Sequence, residues 1–260
     1  MLLGRETALR THLPTHEVAF QVLEGEDIHL NEFWRAPLLK AFELIETHFK
    51  SRNIEQELQA GLFRVPVPKV DRRAFREAVC NALTHRDYTR QGAVHIRWNI
   101  DGLTISNPGG LVEGVTLDNL LTTEPRPRNP ALADAFKRIG LVERTGRGVD
   151  LIYRGMLRYG RDLPDYSRSD LHSVIVQMST SDADTAFLAL VMKEEDSLGK
   201  TLPIDSLIAL SALRQYRRLD RQELARFIQK SEDGAGRVLE ALVELGLIQS
   251  HGGEIGRAHV

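Results

Sequence analysis

The chain has 260 residues, a formal net charge of -2, 42% hydrophobic and 27% charged side chains, and one cysteine. This composition supports a soluble globular core and excludes a chain-wide basic field, an internal disulfide and a cysteine-rich zinc site. Apolar runs fall short of a membrane span and no signal peptide opens the chain, so a cytoplasmic protein without a membrane partner is expected.

Three segments follow in chain order. Residues 1–53 open on a short apolar stretch and continue with a strand at Ala19–Leu23. Phe33, Trp34, Leu38, Phe42, Ile45 and Phe49 then recur with helical spacing, predicting one helix over about Leu30–Lys50. In residues 54–180, Pro66 and Pro68 bracket a short extended piece. Asp71 is an N-cap residue type, and Phe75, Ala78, Val79, Ala82 and Leu83 after it fall on one helix face. Val94, Ile96, Trp98 and Ile100 alternate, Asp101-Gly102 is a tight-turn pair, and Leu103 and Ile105 resume the alternation, predicting a β-hairpin. TTEPRPRNP is a loop, helical patterns flank ERTGRGVD, and Leu171–Met178 is a last strand. Helices with antiparallel strands favour an α/β two-layer sandwich over a doubly wound parallel sheet.

Residues 184–254 carry three short helical patterns, the second capped by Asp220 and the third ending at Gly246, then a turn at Gly252-Gly253. This order fits a small winged helix-turn-helix domain. Arg217, Arg218, Arg221, Arg226 and Lys230 form a local basic patch, and Arg237 on the third helix is placed to enter a major groove, so DNA is the expected partner. A protein-interaction role is the alternative for such a module, because Gly234, Ala235 and Gly236 offer little for reading bases. The final IGRAHV, residues 255–260, reads as one frame of a common sequencing adaptor. The chain is therefore expected to be a gene fragment ending near Glu254, with that tail set aside.

Three motifs carry chemistry. Glu77 and Asn81 lie four residues apart, on one helix face away from the apolar stripe. A carboxylate can orient and deprotonate water, and a carboxamide oxygen suits magnesium. Alone, the pair fits a solvated face better. In ISNPGG, Asn107 offers an acceptor for a base amino group and Gly109 lets a ring approach the backbone, although taken alone an ordinary Asn-Pro-Gly turn fits better. In TGRGVDLI, glycines before an apolar helix expose N–H groups to an anion, with Arg144 and Arg147 adding charge; an interhelical turn is the alternative. His85 and Asp87 adjoin Asn81 and are candidate nucleotide contacts, His85 to a phosphate or to the lid; a cation at a helix C-terminus is the alternative for His85. Gly199-Lys200-Thr201 lacks the first glycine of a P-loop, since Glu194 stands there, so no helicase engine is read in the chain.

The order of these motifs resembles the GHKL ATPases, the family of gyrase, MutL and the histidine kinases. EAVCNALTHRDY, ISNPGGL, PRNP and ERTGRGVDLI are similar to the ATPase-like domain of bacterial RecG-like proteins and Schlafen/AlbA-domain transcriptional regulators. LLGRETALRTHLP resembles the tail of their N-terminal Schlafen/AlbA domain, making residues 1–53 a remnant of that domain plus a linker helix, and the last segment resembles their winged helix. The resemblance implies a Bergerat-type sandwich binding ATP and Mg2+. It implies Asn81 as the magnesium ligand, Glu77 as the hydrolytic base and Asn107, with Gly109 and Gly110, at the adenine. Thr122–Pro130 would be a lid carrying Arg126 and Arg128, and Gly146 and Gly148 would cradle phosphates. Asn107 departs from the aspartate usual in that family. The implied function is an ATP-binding transcriptional regulator coupling nucleotide to DNA, with slow hydrolysis and a homodimer left open. The alternative is a DNA-binding or protein-interaction module with a vestigial nucleotide site.

Overall fold

A computed structural model describes residues 1–60, 63–142, 148–251 and 254–258. From the N-terminus, α1 (Glu6–His12) leads into a hairpin of β1 (Val18–Glu24) and β2 (Asp27–Trp34), followed by α2 (Leu38–Arg52). The helix expected from Leu30 is therefore shorter: Phe33 and Trp34 belong to β2. Gly25, at φ 63, lets the hairpin turn, and Pro37 is the N-cap of α2 because its missing N–H and fixed ring exclude it from a helix interior.

A separate hairpin of β3 (Glu55–Ala60) and β4 (Phe63–Pro68) precedes α3 (Arg72–His85), whose N-cap Asp71 accepts from the N–H groups of Arg73 and Ala74 at 2.8 and 2.9 Å. Then come β5 (Val94–Asn99), β6 (Gly102–Pro108), α4 (Pro130–Arg138), α5 (Gly148–Leu157) and β7 (Ser173–Ser179). One five-stranded sheet runs β2-β1-β5-β6-β7. It is mixed, since β1 and β5 are parallel and the other neighbours antiparallel. The β5–β6 turn centres on Ile100-Asp101 rather than Asp101-Gly102. Asn99 pairs with Gly102, and the Asn99 side chain accepts from the N–H groups of Asp101 and Gly102.

Helices α2, α3, α4 and α5 share one core with the sheet, in which Phe20, Ile45, Leu83, Ile96, Ile105 and Met156 are buried together. Sheet and core thus continue across Asn53, where the first boundary was expected. A second core joins α6 (Thr185–Leu198), α7 (Ile204–Tyr216), α8 (Arg221–Ile228) and α9 (Glu232–Glu244) around Phe187, Leu210, Leu224, Ile228 and Leu239. Asp220 and Glu223 form a capping box on α8, and Ser231 caps α9. The hairpin β8 (Ile248–His251) and β9 (Glu254–Ala258) follows, its second strand entering the tail that was set aside; the turn expected at 252–253 lies outside the described residues. Gly199 is the left-handed C-cap of α6 and follows a helix rather than a strand, unlike a P-loop glycine. Among the described residues no helix is long and apolar enough to cross a membrane.

Helix α5 belongs to both cores. Ile152 and Met156 face the sheet, while Tyr153 and Leu157 pack with α6 and α7. Its contact with α3 is close because two glycines, seven residues apart and so on one face, meet α3. A Cβ at Gly155 would stand 2.6 Å from the Ala74 Cβ and 2.9 Å from the Asp71 Cβ; one at Gly148 would collide with the Glu77 carboxylate. Gly155→Ala is expected to lower stability by about 1–3 kcal/mol through overpacking, more than the roughly 0.5–1 kcal/mol that alanine returns in a helix. A leftward shift of the urea midpoint at unchanged slope checks it.

Candidate functional site

A cavity of about 910 Å3 opens between α3, β6, the start of α5 and the loop at residues 111–127. Glu77, Asn81, His85, Asn107, Arg126 and Gly148 all line it. The face of α3 that reads as polar is therefore turned inward.

Glu77 is only 5% exposed. Its carboxylate lies against Gly148, the first residue of α5, where the dipole of that helix favours negative charge. A side chain at 148 would displace it. Asn81, one turn along α3, is half-buried on the same wall. Burial, with Arg128 next in order, pushes the His85 imidazole down from 6.5 to about 4, so the ring is neutral at physiological pH.

Asn107 is buried near the end of β6. Its Nδ2 donates to the Pro108 carbonyl at 3.2 Å and to the Gly109 carbonyl at 3.5 Å. Two carbonyls at the nitrogen fix the amide orientation of Asn107, which lines the cavity. Gly110 lines the cavity too, but Gly109 does not. At φ 96 it packs on Asp87, whose Cβ a side chain would meet at 2.7 Å.

Other expected ligands have structural duties. Asp87 accepts from the Thr89 N–H and hydroxyl and pairs with Arg90. Arg128 is not on the cavity wall. Its Nε donates to the His85 carbonyl at 3.0 Å and its Nη2 to the Gly110 carbonyl at 2.8 Å, closing the neck of the 111–127 loop. Asn129 extends this clasp through the Thr84 and Arg86 carbonyls. Backbone carbonyls need donors wherever a loop buries them, and the arginine and asparagine of PRNP supply them. Arg126, two residues earlier, does face the cavity. Arg144, Gly146 and Arg147 lie outside the described residues.

Several wall residues carry no local signature in the sequence. Tyr166, in the loop before β7, reaches the cavity with its hydroxyl held protonated by burial, then by Tyr153 and Glu77. Arg154 on α5 donates to the Leu202 carbonyl at 2.7 Å beside the cavity. Asp205 and Lys230, from α7 and the α8–α9 turn, form an ion pair and complete the wall. Lys230, expected on a DNA-facing surface, is exposed and also borders the cavity, where the first turn of α7 brings Asp205 to it. Arg221 pairs with Glu240 at 2.9 Å, whereas Arg217, Arg218, Arg226 and Arg237 are exposed. Among the described residues no three histidine, cysteine or acidic side chains cluster as metal ligands.

A family model described as "Putative ATP-dependent DNA helicase recG C-terminal" matches residues 91–178. The match takes in Asn107 and Gly148 but not the helix carrying Glu77 and Asn81. The chain is similar in fold to the crystal structure of the DIP2311 protein from Corynebacterium diphtheriae, with a TM-score of 0.79 at 24% sequence identity. That likeness covers 98% of this chain and 54% of the other, so the chain spans about half that protein's length. No curated protein matches the chain.

The His85 environment sets a pH dependence. Between pH 6.5 and about 4 the unfolded chain takes up a proton that the folded imidazole refuses, so this contribution to stability is complete above that window and is lost as the pH falls through it. His85→Gln should flatten the fall in urea midpoint across those values; an unchanged profile would remove His85 as its source.

Proposed function

We propose that the chain binds ATP with magnesium in this cavity and couples that binding to DNA through its C-terminal helices. The observation that carries the reading is the convergence of Glu77, Asn81, Asn107 and Gly148 on one cavity, its volume within the range of small-molecule sites. The family match to an ATPase-like domain supports the nucleotide part.

The residues present fit the group. The carboxamide oxygen of Asn81 is a hard donor of the kind magnesium accepts alongside substrate phosphates. The first turn of α5 offers backbone N–H groups and a positive dipole end to an anion. Asn107 presents an oxygen to an exocyclic amino group. Bound ATP would supply the phosphoanhydride bond. Glu77, adjoining Asn81, would orient a water and accept its proton. An amide accepts less strongly than a carboxylate, so Asn107 gives the adenine a neutral rather than a charge-assisted contact. This favours modest affinity, and supports a vestigial nucleotide site as the second reading.

The C-terminal segment has the element order of a winged helix-turn-helix: α7, α8, α9 and the β8–β9 hairpin. In this reading, exposed Arg217, Arg218, Arg226 and Arg237 contact the phosphate backbone.

Millimolar Mg-ATP should raise the melting temperature, since a ligand bound only by the native state stabilises it. No shift would overturn the nucleotide reading. Given binding, Glu77→Gln should leave affinity within a few-fold and lower phosphate release by roughly 10²–10⁴-fold; undiminished turnover would take Glu77 out of the base role. Duplex DNA binding should weaken as salt rises, with Arg226→Ala reducing the slope by about 1. A salt-independent signal would exclude backbone contact.

A further inference from the structure

The loop at residues 111–127 is organised internally before anything touches it from outside. Arg128 ties its two ends together, as described. Asn119 orders its middle: its Oδ1 accepts from the Thr116 N–H at 2.8 Å and its Nδ2 donates to the Gly114 carbonyl at 3.0 Å. Its own carbonyl accepts from the N–H groups of Thr122 and Thr123 at 3.1 and 2.9 Å. A loop with a closed neck and a hydrogen-bonded centre shifts as a unit rather than residue by residue.

That unit is gripped from the other module by Gln229. Gln229 is the left-handed C-cap of α8, at φ 56, between buried Ile228 and the cavity-lining Lys230. Its Oε1 accepts from the Leu121 N–H and its Nε2 donates to the Leu117 carbonyl, both at 2.8 Å. One amide thus spans both sides of the Asn119 turn. Both partners are backbone atoms, so the grip acts on the path of the loop and not on a side chain that could swing away. Leu120–Pro127 of the same loop line the cavity. Two residues after Gln229, Ser231 caps α9.

We infer that Gln229 is a positioning residue that ties the loop over the cavity to the α8–α9 turn. The loop cannot tighten on a ligand without drawing that turn with it or breaking both amide bonds. The inference rests on the nucleotide reading above and deepens it, by naming the contact through which occupancy of the cavity reaches the C-terminal helices.

Hydrogen exchange on the full chain, with and without Mg-ATP, tests it. In the wild type, nucleotide should slow exchange at 117–123 and at 229–233 together. In Gln229→Ala the loop should still slow and the 229–233 response should vanish. Gln229→Glu keeps the acceptor for the Leu121 N–H and loses the donor to Leu117, so it should lie between the two. Without nucleotide, the Leu121 amide should exchange faster in Gln229→Ala. A wild-type loop that slows while 229–233 stays unchanged would overturn the inference, as would a Gln229→Ala response equal to wild type. Absence of any response at the loop and at α3, with no melting shift, would instead bring down the nucleotide reading, and this inference with it.

Discussion

The close crossing of α5 over α3 is the constraint from which the rest of the architecture follows. Gly155 brings the α5 backbone to within a methyl's width of Ala74 and Asp71, and Gly148 does the same at the Glu77 carboxylate. A larger residue at either point would push the helices apart. That would open the wall between the first core and the cavity, and take the α5 N-terminus away from the buried Glu77 carboxylate. Glu77 can therefore be nearly inaccessible to bulk water and still border a cavity.

Because α5 is also the seam between the two cores, it is held from both sides. Ile152 and Met156 belong to the first core, and Tyr153 and Leu157 to the second with α6 and α7. Packed interiors do not deform smoothly, so this seam fixes where α5 lies against α3. The Arg154 bond to the Leu202 carbonyl, just ahead of α7, reinforces the same seam.

Arginines hold the remaining irregular backbone. Arg86 is fully buried and donates to carbonyls of Thr15, Asp87, Arg90 and Gly92, with its guanidinium 4.7 Å from the Tyr88 ring centroid. Burial lowers its pKa, but many carbonyl acceptors and an aromatic face replace the lost water. Arg161 does the same between the Pro68 and Ser181 carbonyls. With Arg128 and Asn129, Arg86 fixes the loops around the C-terminal end of α3 through backbone carbonyls.

Local rules made much of this legible. The cap at Asp71, the apolar face of α3, the β5–β6 hairpin and the three short C-terminal helices all follow from periodicity and capping chemistry, which act within a few residues. The same rules put Glu77 and Asn81 on one face, and the resemblance in motif order made Asn107 and Gly148 their expected companions. They failed where the signal was ambiguous over short range: Phe33 and Trp34 fit a helical recurrence, yet pairing with β1 claimed them for a strand. Nor could they tell what Arg128 serves, since an arginine in a motif looks the same whether it meets a ligand or a carbonyl.

By itself, then, the sequence determined the elements, their caps and the residue types available for chemistry, because those depend on neighbours along the chain. Only the tertiary structure decided that the polar face of α3 is buried against a glycine and that β1 joins β5 in parallel. It alone brought Tyr166, Asp205 and Lys230 to the same cavity and let Gln229 hold a loop more than a hundred positions away in the chain. Those are contacts between distant segments. They are fixed by which surfaces exclude water together and which buried carbonyls find a donor, and no local pattern encodes either.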